Sequence, residues 1–241
     1  MIDLTLEGFD VLSDLWGKVS GLKIFMAGNQ WFVLPELIEY LNSKGFDVFI
    51  ESLPPGAVMR HALGEPIKIG NLIIDYKPDI VSLPPSMLNE IKYRDYFEYV
   101  ANDLVIAYNH GNYNDWCDLK GKQVAIPNPE TEGIGQLFKE LYEKECGNYE
   151  EFINSGKVYL TKIHHREIPK LLNERKIEAG VVWKTEAIYW KFNYFEPKVN
   201  SVGKLAFALI SGDERSKRVF ELLKSEEVRK IYEKYGFRWL L

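Results

Sequence analysis

Short apolar runs that end in polar loops recur along the chain. Residues 22–27, "LKIFMA", run into "GNQW", and residues 123–126, "QVAI", run into "PNPETEG". Residues 157–163, "KVYLTKI", run into "HHRE", and "AGVVW" at 179–183 runs into "KTEA". A short apolar run bounded by turn residues reads as a strand buried on both faces. After the first run, "FVLPELIEYLNSKGF" carries apolar groups at helical spacing and stops at Lys44-Gly45, with glycine where a helix terminates. "DVFIES" follows as the next strand. Strand, helix, strand is the grammar of a parallel α/β sheet.

The remaining pattern fills in the elements. Phe9, Leu12, Leu15, Trp16 and Val19 fall at helical spacing, so a helix is expected over 9–19. Residues 57–78 read as a helix and then a hairpin-like segment, and "DIVSLPPS" gives a third strand and a proline-rich loop. "YRDYFEYVAN" reads as a helix-like or irregular stretch whose aromatics serve the core. Strands are expected at 104–109 and 205–211, a long amphipathic helix after residue 133, and two closing helices from "ERSKRVFELLKS" and "SEEVRKIYEKYGF". There is no solenoid repeat and no low-complexity segment.

Composition narrows the function classes. The 241 residues suffice for one large domain or two smaller lobes. A net charge of −5 argues against non-specific nucleic-acid binding, which depends on a Lys/Arg surplus. No apolar run is long enough to span a bilayer. The N-terminal stretch is acidic and lacks a basic n-region and a continuous apolar run, so it does not read as a secretory signal. The expected location is cytoplasmic as the chain stands, or extracytoplasmic if a leader has been removed. Cys117 and Cys146 are too few for a closed zinc site and form no CxxC. They are expected to be unpaired small hydrophobes, with one bridge between them as the alternative.

The densest chemistry lies in "KIHHREIPKLL" at 162–172, where His164, His165, Arg166 and Glu167 crowd a helix entry set by Pro169. It could be an idle polar loop, a metal site, an acid–base pair or one wall of a ligand site. Chelation by both histidines is disfavoured, because adjacent residues of an extended strand point to opposite faces. The motifs G-x-S-x-G, H-E-x-x-H and G-x-x-x-x-G-K are absent, so no nucleophile–base arrangement is readable.

Three segments carry a family resemblance. "QVAIPNPETEGIGQLFKELYEK", "KIHHREIPKLLNERKIEAGVVWKTEA" and "SEEVRKIYEKYGFRWL" resemble type II periplasmic (solute-)binding proteins of the molybdate/tungstate-like anion class. The resemblance implies an α/β fold of two Rossmann-like lobes joined by two hinge strands. It places lobe 1 in residues 1–106 plus 206–241 and lobe 2 in 107–205, with a ligand in the interlobe cleft. It further implies a monomeric, non-enzymatic protein without metal or cofactor. Such a protein would capture a small anion, an oxyanion such as tungstate or molybdate, for an ABC permease. Two loops depart from the pattern: "AGNQW" stands where molybdate binders carry a serine-rich turn, and "LPPG" where they carry a Ser-Ser-Gly loop. A cytoplasmic enzyme on the same fold, similar to menaquinone-pathway enzymes, is the alternative, with His164 or His165 and Glu167 as acid and base. An intracellular ligand sensor is another.

In open α/β sheets ligands gather at the carboxyl ends of strands, where helix N-termini offer free amides. The ligand-binding candidates there are Asn29, Gln30 and Trp31; Ser86; Asn128, Thr131, Glu132 and Gly133; His164, His165, Arg166 and Glu167; and Trp183 and Thr185. Arg166 offers a planar fork for an oxyanion. Thr131 is the expected N-cap of its helix.

Overall fold

The computed structural model describes residues 5–6, 9–10, 14–69, 72–162 and 166–241. In chain order the first described elements are β1 (Thr5–Leu6), β2 (Phe9–Asp10), β3 (Leu15–Gly17) and β4 (Leu22–Ala27). A 3-10 turn over Gly28–Val33 leads into α1 (Leu34–Ser43), then β5 (Val48–Leu53), α2 (Pro55–Ala62), β6 (Ile67–Ile69) and β7 (Leu72–Ile74). Next come β8 (Ile80–Leu83), a 3-10 turn over Pro85–Glu90, and the long β9 (Asp95–Tyr108). After a 3-10 turn at Trp116–Leu119 follow β10 (Val124–Ile126), α3 (Gly133–Cys146), α4 (Tyr149–Ile153) and β11 (Val158–Leu160). The chain continues through α5 (Glu167–Asn173), β12 (Ala179–Trp183), α6 (Lys184–Tyr189) and β13 (Asn193–Phe195). It closes with β14 (Val202–Leu209), α7 (Glu214–Leu222), α8 (Glu226–Lys234) and β15 (Arg238–Trp239).

The chain forms two compact units, Met1–Ala101 with Lys204–Leu241, and Asn102–Gly203. It passes from the first to the second within β9 and returns within β14. In the first unit β4 runs parallel to both β5 and β8, and β14 is antiparallel to β8. Period-two alternation divides its core. Ile24 and Met26 pack with Leu37 and Leu41 of α1 and with Val219, Val228 and Tyr232 of the closing helices. Phe25 and Val81 face Ala57 and Val58 of α2 on the other side. Strands covered on both faces are continuously apolar, as the sequence reads.

The second unit repeats the scheme. Here β10 is parallel to β11 and β12, and β12 is antiparallel to β9. Val124 and Ile126 pack against Phe138 and Leu141 of α3 and Phe152 of α4, whereas Ala125 faces Ile168 and Leu172 of α5. Cys117 and Cys146 form a disulfide with Cα atoms 5.3 Å apart, which corrects the expectation of two unpaired thiols. The packing of the Trp116 turn against α3, with the Trp116 and Phe138 rings 5.6 Å apart, brings the two sulfurs together.

Two further elements differ from the pattern reading. Leu15–Gly17 is a strand antiparallel to β5, not part of a helix. Pairing of Trp16 with Ile50 outweighs the helical spacing, a case of tertiary context overriding local preference. Gly17 there has φ +84°, and a Cβ would lie 2.2 Å from the Val48 carbonyl oxygen. Residues 95–102 belong to β9, not to a helix or an irregular stretch. Of the aromatics in the stretch 93–102, Phe97 and Tyr99 are core, while Tyr93 and Tyr96 are exposed. The expected hairpin is present as the antiparallel pair β6 and β7.

Candidate functional site

The second unit gathers most of the candidate residues that are described. Strands β10 and β11 are adjacent and parallel, so the loops after Ile126 and Leu160 leave the same sheet end. Thr161 ties the two loops. Its buried hydroxyl accepts the Asn128 N–H at 2.9 Å and donates to the Glu132 carboxylate. The Asn128 carbonyl accepts the Thr131 and Glu132 amides at 3.3 and 2.9 Å, and its side-chain oxygen accepts the Glu130 N–H at 2.9 Å.

Glu132, not Thr131, is the N-cap residue of α3, and its side chain does not cap the helix. Thr131 is exposed and lies one residue outside the cap position. Gly133 opens α3 with free space where a Cβ would stand, so no close approach requires glycine there. Gly135 is different: a Cβ would meet the Asn128 carbonyl 2.5 Å away and the Pro127 oxygen at 2.6 Å. The entry of α3 therefore lies directly on the loop backbone.

The 162–172 motif is partly described. Residues 163–165, with His164 and His165, lie outside the described residues. Arg166 is half-buried at the residue before α5. Glu167 accepts from the Tyr159 hydroxyl at 2.7 Å and from the Lys162 N–H at 3.0 Å. The hydrogen bond to Glu167 pushes the Tyr159 phenol up to about 12. Both acidic candidates, Glu132 and Glu167, are thus directed at donors of their own unit.

Trp183 and Thr185 lie in the interior of the same unit. Trp183 packs against Gly203, where a Cβ would fall 2.4 Å from the indole ring. Thr185 is fully buried and accepts from Asn102 Nδ2 at 2.9 Å.

In the first unit the candidates follow β4 and β8, which are parallel neighbours. Asn29 is half-buried, and its side-chain oxygen is buried without a hydrogen-bond partner among the described residues. Trp31 is partly buried against the core beside Phe32. Ser86 is exposed in the 3-10 turn after β8. Gln30 is fully buried, with its amide bonded to Ser82, Tyr99 and Tyr232.

Thr161, Ser82, Tyr99 and Tyr232 were not among the sequence candidates. Thr161 and Ser82 sit at or next to the same strand tips and could have been included on that ground; the two tyrosines gave no local signal.

Two surface cavities lie on other faces of the two units. One of about 480 Å³ is lined by Gln123, Lys157, Tyr159, Lys176 and Glu178. Another of about 500 Å³ is lined by Lys44, Phe46, Arg215 and Arg218. Gln123, Lys157 and Lys44–Phe46 precede strands, which puts these cavities at the amino ends, although Tyr159 of the first also reaches the candidate Glu167. Among the described residues no group of three His, Cys, Asp or Glu could hold a metal ion, and no helix is long and apolar enough to cross a membrane.

Comparison with known proteins gives the context. A family described as bacterial extracellular solute-binding protein matches residues 22–238. A Bacillus subtilis protein, YvgL, provisionally named an ABC transporter substrate-binding lipoprotein, is 27% identical over 159 residues. That match covers 61% of this chain, and the chain spans 60% of the relative's length. The periplasmic molybdate-binding protein of Azotobacter vinelandii superposes with a TM-score of 0.71 at 17% identity, covering 91% of this chain and 99% of the other. The sulfate-binding protein SubI of Mycobacterium tuberculosis gives 0.68 at 15% identity, covering 91% and 86%. At such identities the likeness is one of fold, and the fold is that of the two-lobed periplasmic binding proteins. The family match covers the first two segments on which the resemblance was drawn and all but the last two residues of the third.

Proposed function

The chain belongs to the bacterial extracellular solute-binding proteins, and from that premise we propose that it captures a small polar anion, an oxyanion such as molybdate, tungstate or sulfate, for an ABC permease. The observation that carries the reading is the treatment of charge at the second unit's strand tips. Glu132 and Glu167, which would repel an anion, are held by Thr161 and by Tyr159 with the Lys162 amide. The 14-residue α3 begins beside them, its N-cap residue makes no side-chain cap, and a helix of this length offers an anion a partial positive charge. Arg166 adds a permanent cation with planar donor geometry. No bond is made or broken; selectivity arises from donor geometry and from the cost of leaving buried groups unsatisfied.

The proposed contact set in this unit is Asn128, Thr131, the Gly133 amide and Arg166, with Thr161, Glu132 and Glu167 holding the loops. In the first unit the candidates are Asn29 and Ser86. An extracytoplasmic location agrees with the Cys117–Cys146 disulfide, since such bonds persist in oxidising compartments. The name of the Bacillus relative agrees with a place in ABC transport, and those of the two solved structures agree with binding of an oxyanion.

The test is a thermal-shift and calorimetric series with molybdate, tungstate, sulfate and phosphate. A true ligand at 100 times its Kd stabilises the fold by about 2.7 kcal/mol through mass action. Arg166→Ala should abolish the shift while leaving the unliganded melting temperature within a few degrees. An unchanged shift in that variant removes Arg166 from the site; no shift with any anion in the wild type removes the reading.

A further inference from the structure

Gln30 was read from the sequence as a ligand contact, yet its side chain lies at 0% exposure, as do those of Ser82, Tyr99 and Tyr232. Four segments converge on this amide: the Gly28–Val33 turn, β8, β9 and α8. Gln30 Nε2 donates to Ser82 Oγ at 3.0 Å, and Ser82 Oγ lies 2.8 Å from the Tyr99 hydroxyl. The Tyr99 and Tyr232 hydroxyls both donate to Gln30 Oε1, at 2.6 and 2.7 Å.

Proton accounting fixes the direction of every bond. Tyr99 has one hydroxyl proton, and it goes to Gln30. The Ser82 proton must therefore go to Tyr99, which leaves Ser82 to accept from the Gln30 amide. The result is a closed ring, Gln30 to Ser82 to Tyr99 to Gln30, with Tyr232 occupying the second lone pair of Gln30 Oε1. Burial holds both phenols far above their ordinary range, so both remain donors. No charged side chain enters the ring. The flanking α1 and α8 carry Glu36 and Lys234, which pair with each other at 2.7 Å.

We infer that Gln30 is a positioning residue: through this ring it fixes the turn that carries Asn29, and so sets the geometry of the first unit's candidate binding loop. The backbone supplies an independent reason. Gln30 has φ −126° and ψ 15°, a non-helical kink inside the Gly28–Val33 turn. That conformation has no repeating backbone ladder to hold it, so the anchored side chain does. The ring needs a donor and a two-lone-pair acceptor on one short planar group, which glutamine supplies and an apolar residue of similar size does not. The ligand arm of this inference rests on the anion-binding reading; the loop arm does not.

The test is amide hydrogen exchange of residues 29–33 in the unliganded full chain, with oxyanion titration in parallel. Gln30→Met should speed exchange of those amides by about tenfold or more while β4 amides keep wild-type protection, and should weaken oxyanion binding by a similar factor. Gln30→Glu at about pH 5, where a buried carboxyl is protonated and restores one donor and one acceptor, should return exchange to within about threefold of wild type. Ser82→Ala breaks the ring without touching Gln30 and should reproduce the Met result, which keeps the test decisive should Gln30→Met not fold. Unchanged exchange at 29–33 in either folded variant overturns the inference. So does faster exchange spread evenly over β4 and the turn, because the amide would then serve general stability. A wild type that binds no oxyanion sinks the ligand reading, and the exchange result still decides the role of Gln30.

Discussion

Opening the Cys117–Cys146 bond should weaken the second unit by about 3.5 kcal/mol. The bond joins residues 29 apart in sequence. Closing a loop of that size removes roughly 12 cal/mol/K of entropy from the unfolded chain, which is about 3.5 kcal/mol at 25 °C. The native ends gain little freedom on reduction. Trp116 is 1% exposed and packs edge-on to Phe138, which is fully buried in α3, so the turn and the helix stay together without the bond. The effect therefore falls on the unfolded ensemble. The assay is urea denaturation of the oxidised and reduced protein, and of the Cys117→Ser/Cys146→Ser double variant. Because two units need not unfold together, the stability of the second is best read from exchange of β10 and β12 amides. Reduction and the double variant should agree, and β4 amides of the first unit should be unaffected. A loss below about 1 kcal/mol would refute the loop-entropy argument, and equal losses in both units would refute its assignment to one of them.

Gly135→Ala should cost about 1–3 kcal/mol, because the new methyl meets loop backbone 2.5 Å away rather than a movable side chain; urea midpoints read the loss. Thr161→Val should cost a similar amount and also weaken oxyanion binding, since it strands the Asn128 amide and removes the Thr161 donor from Glu132; wild-type affinity would mean the tie does not matter to the site. Burial raises the Glu51 carboxyl above its ordinary value of 4.5 despite the His61 Nδ1 contact at 2.8 Å, so the native state holds that proton longer than the unfolded chain. That contribution is fully present below about pH 4.5 and is lost as the pH rises through the folded value. Glu51→Gln should flatten the fall, and parallel stability-versus-pH curves for variant and wild type would refute it. Asp213→Ala should cost about 1 kcal/mol by removing the N-cap that accepts the Ser216 amide at 2.9 Å, and a helix α7 of unchanged exchange protection would refute the capping role.

The strand-loop-helix grammar was legible because each strand is covered on both faces. Ile24, Phe25 and Met26 all lie at 0% exposure although they point to alternate sides, so the run reads as uninterrupted apolar sequence. Residues 95–102 misled for a related reason. Their aromatics fit either a helix face or a strand, and only pairing within the sheet decides. The same limit applies at Leu15–Gly17, where the partner strand β5 lies more than 30 residues downstream. The cysteines could not be paired from spacing, since a separation of 29 fixes no distance between sulfurs until the Trp116 turn is seated on α3.

The site was legible as a place before it was legible as a set of contacts. Parallel strands fix which end of a sheet collects the loops, and that depends only on the order of elements. The direction in which a polar side chain turns there depends on what the interior offers it. Gln30 and Asn29 are adjacent amide side chains on one turn, yet one finds two phenols and a serine while the other has a buried oxygen without a partner among the described residues. Glu132 and Glu167 argue the same point by charge. A bare carboxylate repels an anion, and in the fold Thr161, Tyr159 and the Lys162 amide hold both inside their own unit. These partners lie 29 residues from Glu132 and only 8 and 5 from Glu167, so neither long-range nor local spacing alone would have identified them. What a strand-tip residue contributes is decided by the nearest buried hydroxyl, and hydroxyls such as those of Ser82 and Thr161 are where a search for binding geometry in this fold should begin.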